Sequence, residues 1–116
     1  MNIHFTARRF KAHKEVRDHA LSSLTKIDKY YDGIVRADII LSYEHKPSSI
    51  KTAEIILRVH KNLLTAKEKS EDFHKSIDLC LDKLERQLNK YKSKLRMKDK
   101  RILRRVKESM TSSQGE

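Results

Sequence analysis

Cysteine is almost missing from this sequence: Cys80 is the only one in 116 residues, so no disulfide can form within the chain. There are two glycines, one proline and no tryptophan. Two glycines cannot build a glycine-rich loop that cradles a phosphate, which argues against nucleotide hydrolysis. No run approaches the roughly 18 apolar residues of a membrane span. The opening Met1-Asn2-Ile3-His4-Phe5-Thr6 also lacks the apolar core of a secretion signal. A cytoplasmic chain with no membrane partner is expected. The six histidines are dispersed, and neither Cys-x-x-Cys nor His-Glu-x-x-His spacing occurs. No metal, no cofactor and no small-molecule substrate are therefore expected, and the chain reads as a binding protein rather than an enzyme.

What the chain has in excess is positive charge. It carries 27 Lys and Arg against 16 Asp and Glu, a net charge of +11, which exceeds what solubility needs. Such a field attracts polyanions, nucleic acid first among them. Residues 96–108 alone hold 7 basic and 2 acidic side chains, so the far end is a basic extension.

Periodicity supplies the fold. Ile3, Phe5 and Ala7 alternate with polar residues, as in a short strand. Val16, Ala20, Leu24, Ile27 and Tyr31 recur at steps of three or four, predicting a helix from about Lys14 to Tyr31. Gly33, able to take the left-handed conformation, is its expected stop. Val35 to Tyr43 alternates again, His45–Ser49 reads as a turn, and a third strand runs from about Lys51 to His60. Lys61-Asn62 is the expected hairpin tip, with Asn tolerating positive φ, and Leu63 to Glu68 forms a fourth strand. Ser70-Glu71-Asp72 then supplies a capping hydroxyl and two first-turn acids. The second helix carries one apolar stripe: Phe73, Ile77, Cys80, Leu81, Leu84, Leu88, Tyr91 and Leu95. It is expected to reach Arg96 or slightly beyond, faint periodicity through Ile102 and Val106 leaves a further extension open, and disorder is expected from Ser109 to Glu116. The expected fold class is α+β: βαβββα, a four-stranded mixed sheet with both helices packed on one face. Ile40 and Ile56 then fall on the open face as cross-strand neighbours. The domain is placed at residues 1–96, with a basic, flexible tail at 97–116.

The second helix sorts its charges. On a helical wheel Lys83, Arg86, Lys90 and Lys94 fall within about 40° of one direction, with Asp78, Asp82 and Glu85 on the opposite shoulder. A cationic stripe rising about 5–6 Å per step suits a run of phosphates. Gln87 lies beside it as a further donor. The alternative is a solvated flank with intrahelical pairs such as Asp82 with Arg86, each contributing about 0.2–0.5 kcal/mol. Lys26, Lys29 and His19 form a weaker basic flank on the first helix.

The run Glu71-Asp72-Phe73-His74-Lys75-Ser76-Ile77-Asp78, continued by Asp82-Lys83-Leu84-Glu85-Arg86-Gln87-Leu88-Asn89-Lys90-Tyr91-Lys92-Ser93-Lys94, resembles the ribosome hibernation-promoting factor family. That family is also called ribosome-associated inhibitor A or the sigma-factor modulation proteins. Arg17, Lys26, Ile27 and the Tyr30-Tyr31 pair support the resemblance, which covers about residues 1–96. It implies a βαβββα domain bound to rRNA of the small ribosomal subunit, where it blocks the mRNA and tRNA sites, inhibits translation and preserves idle ribosomes. By motif match it implies rRNA contacts at Lys83, Arg86, Gln87, Lys90, Lys92 and Lys94, and at Arg17 and Lys26 on the first helix. Lys29 and Arg101 are secondary candidates.

Three departures stand out. Ser23 replaces a frequent lysine, His74 replaces a usual tyrosine, and the C-terminal stretch is basic where the inhibitor type is acidic. The last favours the short hibernation-promoting type. A chain of this length leaves no room for the long type's dimerisation domain, so a monomer is expected off the ribosome. A general double-stranded-RNA-binding module and a protein-binding sigma-factor regulator are the competing readings.

Overall fold

The computed structural model describes residues 1–31, 33–44 and 49–114, with side chains described as far as Leu95. Its elements are β1 (Asn2–Arg8), α1 (Lys14–Tyr30), β2 (Ile34–Glu44), β3 (Ile50–Val59), β4 (Asn62–Ser70) and α2 (Phe73–Gln114). They form one sheet in the order β1-β2-β3-β4, with β1 parallel to β2 and the other pairs antiparallel. This is the expected βαβββα mixed sheet. The parallel pair follows from the α1 crossover, and the antiparallel pairs from short turns.

Register builds the core. Ile3, Ala37, Leu57 and Leu64 line up across the four strands, as do Phe5, Ile39, Ile55 and Ala66. Onto this face α1 turns Val16, Ala20, Leu24 and Ile27, and α2 turns Phe73, Ile77, Cys80, Leu81 and Leu84, all buried. Burying a leucine or isoleucine fully is worth about 1.5–3 kcal/mol, so these rows fix the strand register. Polar bonds pin α2 as well. The Ser76 hydroxyl donates to the Lys51 carbonyl at 2.7 Å, and the Cys80 thiol donates to the Ala53 carbonyl at 3.2 Å. On the opposite face Ile40 and Ile56 are half-buried and diagonal neighbours, since Ile40 pairs with Glu54 and Ile56 with Asp38.

Several local expectations are corrected. α1 ends at Tyr30, capped by Tyr31 in extended conformation, and among the described residues no glycine has positive φ. A Cβ at Gly33 would lie 2.6 Å from the Tyr31 hydroxyl oxygen, the far end of a side chain that can shift to make room. The β3–β4 tip is His60-Lys61, with Val59 paired to Asn62. Its positive φ (61°) falls on Lys61, not on Asn62. Asn62 opens β4, where its side-chain oxygen accepts from the Leu63 N–H at 2.9 Å. A second non-glycine left-handed residue is Arg9 (φ 63°). Such a conformation costs a residue with a Cβ about 1–2 kcal/mol. β4 runs on to Ser70, so the α2 cap is Asp72, whose Oδ1 accepts from the His74 N–H at 3.2 Å. No acid lies in the first turn of α2.

By compactness the chain divides into two units, Met1–Arg86 and Gln87–Glu116. α2 continues past Arg96, the extension that the periodicity through Ile102 and Val106 left open, and its backbone is helical to Gln114, so the disorder expected from Ser109 is not seen as far as that residue. Along the expected apolar stripe Leu88 is buried, Tyr91 half-buried and Leu95 38% exposed. The proposed turn residues His45–Ser48, the side chains of Arg101, Ile102 and Val106, and residues 115–116 lie outside what is described.

Candidate nucleic-acid interface

The sign-sorting of α2 has a packing origin. Its acidic shoulder faces α1: the His19 Nε2 N–H donates to Asp78 Oδ1 at 2.7 Å. The His19 ring also lies 4.6 Å from that of His74, whose Nδ1 is 3.8 Å from Asp72 Oδ1. His19 is therefore tied to α2 rather than free to join a basic flank. Both helices run back along the same face after strands of the same direction, so they are parallel.

Lys83, on the cationic side of α2 within the first unit, faces β4 instead, where it forms an ion pair with Glu68. Lys83 is thus a structural partner as well as a candidate contact, and part of its charge is neutralised. Arg86, Lys90 and Lys94 are exposed, and among the described residues none of them is in an ion pair. The intrahelical Asp82–Arg86 pair considered above does not form. Gln87 and Lys92 are half-buried and engaged in other interactions. Of these residues Lys83 and Arg86 belong to the first unit, and Gln87, Lys90, Lys92 and Lys94 to the second.

Of the candidates on α1, Arg17 is not gathered with Lys83. Arg17 is exposed and places its guanidinium 5.9 Å from the Phe5 ring centroid on β1, the sheet edge opposite β4. Two intervening strand spacings plus one put those edges about 14 Å apart. Lys26 and Lys29 are exposed.

An aromatic cluster escaped the sequence reading. Phe10, in the β1–α1 connection, stacks on Phe73 with centroids 5.2 Å apart and planes within 4°, and lies 6.4 Å from Tyr43. Lys51 Nζ sits 5.8 Å from the Tyr43 ring and 5.9 Å from that of Phe73. The available signal was Phe10 itself, an aromatic among the basic residues Arg8-Arg9-Phe10-Lys11. Among the described residues no group of three or more His, Cys, Asp or Glu is placed to hold a metal ion.

A family model described as "Sigma 54 modulation protein / S30EA ribosomal protein" matches residues 3–96. The chain belongs to this family. Among S30EA relatives, the ribosome hibernation promoting factor of Pseudomonas putida (strain KT2440) is 27% identical over 94 residues, covering 81% of this chain and 89% of the relative. The ribosome hibernation promotion factor of Bacillus subtilis (strain 168) is 26% identical over 98 residues, 84% of this chain. Those residues are 52% of the Bacillus protein, so this chain spans about half its length. A ribosomal subunit interface protein from Coxiella burnetii superposes with a TM-score of 0.72 at 27% identity, covering 80% of this chain and 99% of that one.

Cys80, within the S30EA match, is structural. Burial pushes its thiol up to about 12, so it stays protonated and unreactive at neutral pH. The folded state keeps this proton where an unfolded chain has lost it, so its contribution to stability falls as pH rises from about 9 to about 12. Iodoacetamide should leave the native protein unmodified near pH 8 and alkylate it in urea. Rapid native alkylation would show that the site opens readily. Cys80→Ala should flatten the alkaline decline in urea midpoint, measured as the difference from the unmodified sequence.

Proposed function

We propose that this chain binds the small ribosomal subunit through rRNA and occupies the channel of mRNA and tRNA, so that idle ribosomes are held out of translation. The observation that carries this reading is the exposed cations Arg86, Lys90 and Lys94, which have no acidic partner among the described residues and lie within the family-matched helix. An unpaired cation on a helix gains little for folding, whereas each one set against a phosphate releases a counterion. The names of the relatives, hibernation factors and a subunit interface protein, agree with this partner.

In this reading residues 1–96 are the rRNA-binding domain and 97–116 its basic extension. Lys83, Arg86, Gln87, Lys90, Lys92 and Lys94 contact rRNA, Arg17 and Lys26 form separate contacts, and Lys29 and Arg101 add weaker ones. The mechanism is occupancy: a rigid body holds phosphates and excludes tRNA and mRNA without a chemical step. The protein acts in the cytosol, as a monomer off the ribosome. No described helix is long and apolar enough to cross a membrane.

Cell-free translation tests the proposal. Inhibition should rise in proportion to added protein and level off near one copy per ribosome, with the protein pelleting with small subunits. Undiminished synthesis at molar excess, or equal affinity for naked duplex RNA, would overturn it.

A further inference from the structure

The β1–α1 corner carries a second concentration of positive charge, separate from α2. Arg8-Arg9-Phe10-Lys11-Ala12-His13-Lys14 contains four Lys or Arg and a histidine in seven residues, with no acid. Arg8, Arg9, Lys11 and Lys14 are all exposed, and among the described residues none of them enters an ion pair. The corner is also held in place. Phe10 turns its ring inward onto Phe73, so the basic residues on either side are fixed to the start of α2.

Two further features point to an anion. Arg9 takes a left-handed conformation that glycine or asparagine would adopt with less strain. An arginine there puts a guanidinium on a strained backbone, as recurs at functional sites. His13, the α1 N-cap, makes no side-chain cap hydrogen bond, so the first-turn N–H groups of α1 add positive partial charge at the same corner.

We propose that this corner is a second RNA-phosphate clamp, in which Arg8, Arg9, Lys11 and Lys14 hold a stretch of rRNA backbone distinct from that met by the cations of α2. Phe73 and Arg86 are thirteen residues apart on one helix, about 20 Å along its axis, so a single short run of backbone does not serve both. Phosphate is favoured over other anions by the paired arginines, whose planar forks match its oxygens. A protein partner would want an exposed aromatic anchor and a membrane an apolar wedge, and the corner's one aromatic is stacked inward.

The clamp rests on the ribosome-binding reading and is tested against it. Binding of the full chain to purified small subunits is measured across about 50–300 mM KCl for the unmodified sequence and for Arg8→Gln/Arg9→Asn/Lys11→Gln. At about 0.7–0.9 in log–log slope per phosphate, the variant should lose about 2–3 of slope and on the order of a hundredfold in affinity at low salt. An unchanged slope overturns the clamp, whether affinity is kept or lost, because phosphates would not be the contacts. Failure of the unmodified chain to bind subunits overturns the functional reading as well, and so is told apart. Should the triple variant melt early, Lys11→Gln/Lys14→Gln, at exposed positions without positive φ, should still lower the slope by about 1–2; no change there overturns the clamp.

Discussion

Arg86→Glu, Lys90→Glu and Lys94→Glu combined should weaken binding to the small ribosomal subunit about a thousandfold while leaving the melting temperature nearly unchanged. Loss of three phosphate contacts alone lowers low-salt affinity on the order of a hundredfold, since each contributes about 0.7–0.9 to the salt slope. Reversal adds repulsion, about 1 kcal/mol for each pair of charges 4 Å apart in water. The fold should tolerate the change because all three side chains are exposed and outside the ion pairs of the described residues. Lys83 is left out deliberately. Lys83→Glu would set two carboxylates together at Glu68, and a lost interaction there would mix folding with binding. Co-sedimentation at about 50 mM and 200 mM salt is the measurement. A variant that pellets like the unmodified protein at both would remove α2 from the interface.

Lys83 illustrates where sequence reasoning stops. Its place on the cationic stripe follows from helical spacing, but its pairing with Glu68 requires knowing that β4 lies beneath that flank of α2. Fifteen positions separate the two residues, and no local pattern links them. The element order and the core rows were legible for the opposite reason. Ile39 and Ile55, or Leu24 and Leu84, are apolar at periods that a half-buried strand or helix imposes.

The misplacements came from backbone chemistry that side-chain preference hides. Asparagine is the favoured residue for positive φ, yet the hairpin puts that angle on Lys61 because register fixes Val59 opposite Asn62. Gly33 resembles a helix stop, yet α1 already ends at Tyr30, capped by Tyr31, and Gly33 does not take a positive φ. The weaker flank read on α1 included His19, which is instead bonded to Asp78 on α2, and Arg17, a candidate only through the family resemblance, lies against Phe5 on β1.

The apolar stripe of α2 offers a sharper test of how far the core extends. Leu84→Ala should lower stability by about 2–5 kcal/mol, and Leu95→Ala by no more than about 0.5 kcal/mol. On sequence spacing the two are equivalent stripe positions. In the structure Leu84 is fully buried and Leu95 is 38% exposed. Truncating the first removes apolar surface and opens a cavity between helix and sheet; truncating the second removes contacts that water already shares. For a domain of this size each kcal/mol shifts the melting temperature by about 4–8 °C, so Leu84→Ala should melt about 10 °C or more below the unmodified protein. A total stability of about 5–15 kcal/mol makes partial unfolding of Leu84→Ala at 37 °C a realistic outcome, visible as loss of native circular dichroism. Equal effects at the two positions would mean that Leu95 is packed as tightly as Leu84, and that the buried stripe continues past Leu88.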